Sequence, residues 1–471
     1  MNIGEHNIRR LQQLLLRMSG LFKRAEEWIE TRTKTDKQWI IIILLLAALL
    51  RLPLLNYPDR TLFDEVIYAN FAVHIIHHEP FFDIHPPLAR IIFAMVANNS
   101  SFEIWGFPME TNKEFGDFPY ATLRLFMALI GTLFPLLLYL IGRLLKYSPR
   151  SAGILALFAV FDNALVLYSR SILPDTLLLF LNFLGLAAAF AAANIAHKKI
   201  ERVFLVILSG IALGLALSIK WTALAMFPLV GLIFIFARMY RSIALVGILG
   251  ILVYLSVFSL YFTNFPNGGH VDPVLYPYNK PWIAEMTFPK GDHLKNIIAY
   301  LPEIHEAMLR ANEDPDIAKV TLQSAGPLSW PAARSSLTFW ISDDGKHTII
   351  LRGNEFLWFL TFFMIIFEIG WIIEKSRKRR KWPIDKTESI LLLGYLSNYA
   401  PFFLIHRPMY LYHYFTAFIF LLLLLPRIAP RVIHCIGNIT HDRTLAHVMM
   451  YFSILLVLIN FILIAPTTYG W

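Results

Sequence analysis

Of the 471 residues, 57% are hydrophobic and 16% are charged, and the mean hydropathy is +0.55. So few charges cannot cover the surface of a water-soluble core of this size, so a soluble protein is excluded and lipid is the solvent. The net charge of +9 is no nucleic-acid signal, because the basic residues sit mostly in short connections between apolar runs.

Residues 1–37 come first. Leu11, Leu14, Leu15, Met18, Leu21 and Phe22 recur at helical spacing among Arg9, Arg10, Arg17, Lys23 and Arg24. That pattern fits an amphipathic helix on the cytoplasmic membrane surface, and a fraying tail fits it equally. The apolar run from Trp39 to Leu55 is not a signal peptide, since a long polar segment precedes it and no small-residue cleavage site follows.

From residue 38 onward the chain reads as an all-α polytopic membrane domain of about eleven spans: 38–55, 120–145, 149–168, 172–194, 201–218, 221–238, 242–262, 353–374, 387–405, 409–426 and 446–465. Lys146 and Arg150, His197 to Lys199 with Arg202, Arg238 and Arg241, the run Lys375 to Lys381, and Arg427, Arg431 and Arg443 then fall on one side. The positive-inside rule makes that side, and the N-terminus, cytoplasmic. Two large loops, 56–119 and 263–352, face outward. The second holds an amphipathic helix from His293 to Ala311 and a Pro/Trp-rich stretch from Pro327 to Trp340. The lone Cys435 excludes an intramolecular disulfide or a cysteine-built metal site.

With orientation fixed, five cations stand on the wrong side. Arg51, Arg124 and Arg170 lie at outer span ends, Lys220 between the fifth and sixth spans, and Arg407 between the ninth and tenth. Any one of them can snorkel to headgroups. Five together point to a buried anion site of phosphate or pyrophosphate type. On the same side, Asp64 and Glu65 interrupt an apolar segment. Adjacent carboxylates on a helix point about 100° apart, which suits separate roles, one as general base and one paired to an arginine. Taken alone, the pair reads equally as a solvated helix start.

Motifs accumulate along that face in order: Phe63-Asp64-Glu65-Val66, Asp83-Ile84-His85-Pro86-Pro87-Leu88, and Tyr120-Ala121-Thr122-Leu123-Arg124-Leu125. Asp162-Asn163-Ala164-Leu165 follows with Ser169-Arg170 and Asp175, then Ser218-Ile219-Lys220-Trp221, Ser329-Trp330-Pro331 and Arg407-Pro408-Met409-Tyr410-Leu411-Tyr412-His413-Tyr414. In these the sequence resembles the protein O-mannosyltransferases, GT-C membrane glycosyltransferases that use a polyprenyl-phosphate sugar. The resemblance implies a GT-C helix bundle, Asp64 as the base, and activity-linked positions at Glu65, Arg51 and Arg124. With such a donor, the anion site read from Arg51, Arg124, Arg170, Lys220 and Arg407 would bind the donor phosphate. His85, Asp162, Asp175, Trp330, His413 and Tyr414 would shape the site.

The chain lacks the soluble module that eukaryotic members insert in the second outer loop, so it looks like a bacterial or archaeal relative. It also lacks the His-Pro-Tyr found before Ser-Trp-Pro in many relatives. The expected activity is inverting transfer of a sugar, mannose by the resemblance, to Ser or Thr hydroxyls of proteins at the outer face of the plasma membrane. A lipid or cell-envelope glycan is the alternative acceptor. The pattern implies no metal or other cofactor, although an acidic pair can hold a divalent cation. A transporter would place its ionisable groups at midplane rather than at one face, and a non-catalytic scaffold leaves the outer arginines unexplained. Carrier length, acceptor and oligomeric state are open from sequence.

Overall fold

The computed structural model describes residues 36–98, 111–194, 196, 198–271, 281–288, 290, 293–314, 323–379, 381–405, 408–440 and 443–471. The amphipathic N-terminal segment and Arg407 lie outside them.

In a bilayer the backbone must satisfy its own hydrogen bonds, so the Leu/Ile/Phe/Ala runs wind into helices. In chain order these are α1 (Asp36–Arg51), α2 (Glu65–Ile76), α3 (Leu88–Ala97), α4 (Tyr120–Leu144), α5 (Pro149–Val160), α6 (Asn163–Ser169), α7 (Asp175–Asn194) and α8 (Lys199–Leu217). Next come α9 (Met226–Phe236), α10 (Tyr240–Thr263), α11 (His293–Glu313), α12 (Glu355–Arg379), α13 (Lys386–Tyr399), α14 (Phe415–Thr440) and α15 (Arg443–Tyr469).

Seven helices among the described residues are long and apolar enough to cross a membrane: Tyr120–Leu144, Asp175–Asn194, Lys199–Leu217, Tyr240–Thr263, Glu355–Lys378, Leu411–Ile439 and Tyr451–Tyr469. The pair α5 and α6 makes an eighth if taken as one span bent by 65°. The bend has a local cause. Phe161 ends α5, and Asp162 begins a new helix by accepting the backbone N–H of Leu165 at 2.9 Å.

The other three expected spans meet shorter helices. For 38–55 the helix is the 16-residue α1; for 387–405 it is the 14-residue α13, which tightens into a 3-10 turn at Ala400–Leu404. For 221–238 a 3-10 turn, Trp221–Ala225, runs into α9. Hydropathy counts apolar residues whatever their winding, so it cannot see these breaks.

The described parts of both large loops are folded. α2 and α3 stand in the first. The second carries α11, within which the expected helix falls, and two small antiparallel ribbons the sequence did not announce. One pairs Gly269–His270 (β1) with Thr287–Phe288 (β2), the other Leu337–Ile341 (β3) with Thr348–Leu351 (β4). Their buried faces, Phe288, Leu337, Phe339 and Leu351, join the core over one end of the bundle.

Close helix contacts rest on small residues. A Cβ on Gly153 of α5 would lie 2.3 Å from the buried Trp39 ring of α1. At the end of α14 away from its first turn, Arg431 joins Glu388 of α13 at 2.8 Å and also Glu368 of α12. This knot holds the far end and leaves the opposite end free to build a site. Gly153→Ala is expected to overpack the α1–α5 contact by about 1–3 kcal/mol. Thermal unfolding in detergent should show a lower midpoint, and an unchanged midpoint would contradict this packing.

Candidate active site

The site end is organised by one buried ion pair. Glu65, the first residue of α2, has no exposed surface, and Arg124, in the first turns of α4, has 1%. Arg124 donates from Nε to Glu65 Oε1 at 3.0 Å and from Nη2 to Oε2 at 2.6 Å. Its Nη1 donates to the carbonyls of Leu55 (3.3 Å) and Pro58 (2.7 Å), and its Nη2 to that of Arg60 (3.1 Å). All five guanidinium protons are thereby used. Glu65 also accepts the backbone N–H groups of Leu62 (3.1 Å) and Ile172 (2.8 Å). A buried pair is stable only when its remaining hydrogen-bonding capacity is met in this way. Together the two residues join the exit from α1, the start of α2, α4 and the turn before α7.

Asp64 stands one residue before Glu65 and turns another way. It occupies the N-cap position of α2 without bonding the helix N–H groups. Its carboxylate is half-buried and has no hydrogen-bond or ion-pair partner among the described residues. The backbone presents it through Phe63, whose φ of +34° is rare outside glycine. Phe63 is held there by its N–H to Phe339 O at 3.0 Å and by its ring stacked on Phe339 at 5.0 Å. Burial pushes the Asp64 carboxyl up to about 7; Lys220 opposes the rise, and Asp175 and Asp83 add to it. A carboxylate poised there, with free lone pairs, can take a proton at neutral pH.

Lys220 follows the end of α8, and Asp175 begins α7. The ammonium lies 2.7 and 2.9 Å from the two Asp175 oxygens and 5.2 Å from the centre of the Tyr412 ring. Both residues line a cleft of about 250 Å³. Its other walls are largely apolar, including Leu178, Trp221, Leu224, Phe402, Ile405 and Phe415. A polar head at the end of an apolar channel suits an amphiphile with a charged group.

The remaining predicted residues divide. His413 lines the cleft, its ring stacked on Tyr412 at 4.5 Å and parallel to Trp330 at 6.1 Å. Trp330 is fully buried and donates to Ala325 O at 2.9 Å. Tyr414 is fully buried behind them, against Trp358 and Tyr399. His85 is half-buried, and its backbone N–H donates to Asp83 Oδ1 at 3.3 Å.

The arginines are elsewhere engaged. Arg51 donates to the carbonyls of Ala159 (2.9 Å) and Val160 (3.4 Å) at the end of α5. Arg170 donates to those of Arg51 (3.0 Å), Pro53 (2.7 Å) and Leu54 (3.2 Å) and lies over the Tyr469 ring at 4.8 Å. Asp162 accepts from Asn354 N at 3.1 Å and from Trp358 Nε1 at 2.6 Å as well as capping α6. Arg51, Arg124 and Arg170 therefore pin carbonyls at the ends of elements and do not line the cleft. Of the five cations expected at a phosphate, only Lys220 lines it among the described residues.

Sequence reading missed Arg90, which ion-pairs with Asp83, donates to Pro86 O at 2.9 Å and lies over Tyr68 at 4.9 Å. The spacing of Asp83 and Arg90, seven residues apart across a Pro-Pro helix start, was the available signal. Tyr68, Tyr168 and Tyr412, aromatic residues electrostatically coupled to Asp64, were also not singled out.

Glu65→Ala would strand Arg124 as a buried unpaired charge, an expected loss of about 3–5 kcal/mol. Purified variant protein should unfold at clearly lower temperature than wild type and lose any activity with its fold. A variant with wild-type thermal stability would refute the structural role of the pair.

Comparison with known proteins agrees with this architecture. The family model "Dolichyl-phosphate-mannose-protein mannosyltransferase" matches residues 41–271, and "C-terminal four TMM region of protein-O-mannosyltransferase" matches 298–471. Dolichyl-phosphate-mannose–protein mannosyltransferase 1 of Candida albicans is 32% identical over 256 residues, 48% of this chain and 28% of that protein. Mannosyltransferase 5 of the same organism is 29% identical over 414 residues, 72% of this chain and 55% of that protein. The chain thus spans about a quarter to a half of the length of these relatives. The fold matches the Saccharomyces cerevisiae protein O-mannosyltransferase Pmt1–Pmt2 complex bound to the sugar donor, with TM-score 0.77 and 17% identity, covering 92% of this chain and 90% of that one. Two models of one family, adjoining along nearly the whole helical domain, settle the assignment: the chain belongs to the protein O-mannosyltransferase family of GT-C membrane glycosyltransferases.

Proposed function

We propose that this multi-pass membrane protein transfers mannose from a polyprenyl-phosphate donor to Ser or Thr hydroxyls of proteins, with inversion, at the extracytoplasmic face of the cell membrane. The observation that carries the reading is Asp64, a half-buried carboxylate with no hydrogen-bond or ion-pair partner among the described residues, pushed up to about 7 by burial and electrostatically coupled to Lys220, which lines an apolar cleft. Family membership and the charge of the short connections support the donor class and the orientation.

In this reading the isoprenoid lies along the apolar wall and the phosphate meets Lys220. The acceptor oxygen attacks the anomeric carbon as its proton passes to Asp64. The bond from that carbon to the phosphate oxygen breaks, and the electron pair leaves with the phosphate. The leaving group departs as a stabilised anion, so Lys220 assists it electrostatically and no general acid is required. Inversion follows from a single displacement, since Glu65, enclosed by Arg124 and two backbone N–H groups, is not available as a nucleophile. The same enclosure keeps the Asp64-Glu65 pair from chelating a cation jointly, which favours a metal-independent reaction. Undiminished transfer in excess chelator is the expected result.

Asp64→Asn should lower turnover by about 10²–10⁴-fold in an assay with a defined polyprenyl-phosphate mannose and a Ser/Thr peptide. For wild type, kcat/KM should rise with pH and level off above about 7 as Asp64 loses its proton. Linkage fixes the stability trend too. A carboxyl whose pKa rises on folding contributes stability below its unfolded value and loses it as pH climbs toward about 7. The variant should therefore melt no lower than wild type, and higher at pH 8. Retained turnover in Asp64→Asn would remove it from the role of base. Transfer to a lipid or glycan but to no peptide would replace the protein acceptor.

A further inference from the structure

The reaction changes the charge of the lipid it handles. The donor is a phosphodiester with one negative charge, whereas the released polyprenyl phosphate is a phosphomonoester of roughly −1.5 to −2 at pH 7, its second pKa being near 6. A site built only to hold phosphate would bind this product more tightly than the donor and slow each turnover.

The head of the cleft is not built that way. Lys220 is already engaged by both oxygens of Asp175, at 2.7 and 2.9 Å, and the two side chains are 9% and 10% exposed. Asp64 and Asp83 are electrostatically coupled to the same group. Among the described residues, three carboxylates therefore face two cations, Lys220 and Arg90, and Arg90 is itself paired with Asp83. Tyr68, Tyr168 and Tyr412, whose hydroxyls stay neutral, are electrostatically coupled to Asp64 and Asp175 and add no positive charge. An arriving phosphate must share the ammonium with Asp175, and a second negative charge on it is opposed.

We propose that Asp175 is a discrimination residue: by occupying Lys220 it lets the site hold the singly charged sugar-phosphate donor while weakening its grip on the more highly charged lipid-phosphate product. The proposal rests on reading the cleft as the donor site. Asp175 acts through Lys220 and the local field and does not touch the reacting bond. The carboxylate is the necessary part, since an amide at the same position can still accept a hydrogen bond from the ammonium but cannot repel a dianion.

The test compares Kd values for polyprenyl-phosphate mannose and for polyprenyl phosphate, without acceptor, in wild type, Asp175→Asn and Asp175→Glu at pH 6 and pH 8. Asp175→Asn should bind polyprenyl phosphate at least tenfold more tightly at pH 8, tenfold being the effect of removing one charge about 12 Å away at an effective dielectric of about 20 and closer charges giving more. Its donor affinity should change distinctly less, and the product gain should shrink at pH 6, where the product carries less charge. Asp175→Glu should restore wild-type discrimination. Wild type supplies a further check: its product-to-donor Kd ratio should rise from pH 6 to pH 8, and it should rise in Asp64→Asn as well, where the ionisation of Asp64, felt more strongly by a dianion than by a monoanion, is absent. Equal shifts for both lipids in Asp175→Asn, or a wild-type ratio that falls with pH, would overturn the proposal and leave the donor site intact. Absence of saturable binding of either lipid to wild type would overturn the donor reading and this inference with it.

Discussion

The structure of the site end depends on the buried pair of Glu65 and Arg124. One guanidinium reaches three carbonyls of the loop after α1 and both oxygens of a carboxylate on α2, and that carboxylate reaches the turn before α7. A loop at the membrane surface would otherwise have unsatisfied carbonyls against an apolar bundle, each costing free energy. The arrangement also fixes the direction of the first turn of α2, and so the place of Asp64. Arg51 and Arg170 extend the same device, tying the ends of α5 and α1. Arg51, Arg124 and Arg170 are thus first a solution to a backbone problem.

Chemistry is then confined to what this scaffold leaves unsatisfied. Glu65 has every lone pair engaged and is structural. Asp64, its neighbour, has none engaged by a described residue; it follows the strained turn at Phe63 and is electrostatically coupled to Lys220. Two adjacent carboxylates of the same chemical kind thereby acquire different hydrogen-bonding environments from the fold alone. Burial raises the Asp64 carboxyl, and Asp175, which adds to that rise, is also the carboxylate that engages Lys220.

Much of this was legible in the sequence. Long apolar runs and the acid pair separated from them required only composition and periodicity, and the ordered motifs pointed to the family. The divergence of Asp64 and Glu65 followed from helical geometry. What could not be read was which cation meets which acceptor. Arg124 and Lys220 carry the same charge on the same face, yet one is enclosed by carbonyls and the other lines a cleft. That difference depends on contacts between residues more than fifty positions apart, such as Arg124 with Glu65 and Lys220 with the turn at Tyr412. The Arg90–Asp83 pair escaped notice because Arg90 falls in an apolar helix and reads as a surface charge. The short helices α1 and α13 were drawn too long because hydropathy carries no record of where α winding stops.

The central claim is that folding divides the acid pair, enclosing Glu65 and leaving Asp64 as a base poised near neutrality. Its most direct test is a carboxylate titration by infrared difference spectroscopy of the detergent-solubilised protein, with the Asp64→Asn variant identifying the band. The account predicts a carboxyl signal absent from that variant with a midpoint of about 7. A midpoint in the ordinary aspartate range of about 3–4 would contradict it.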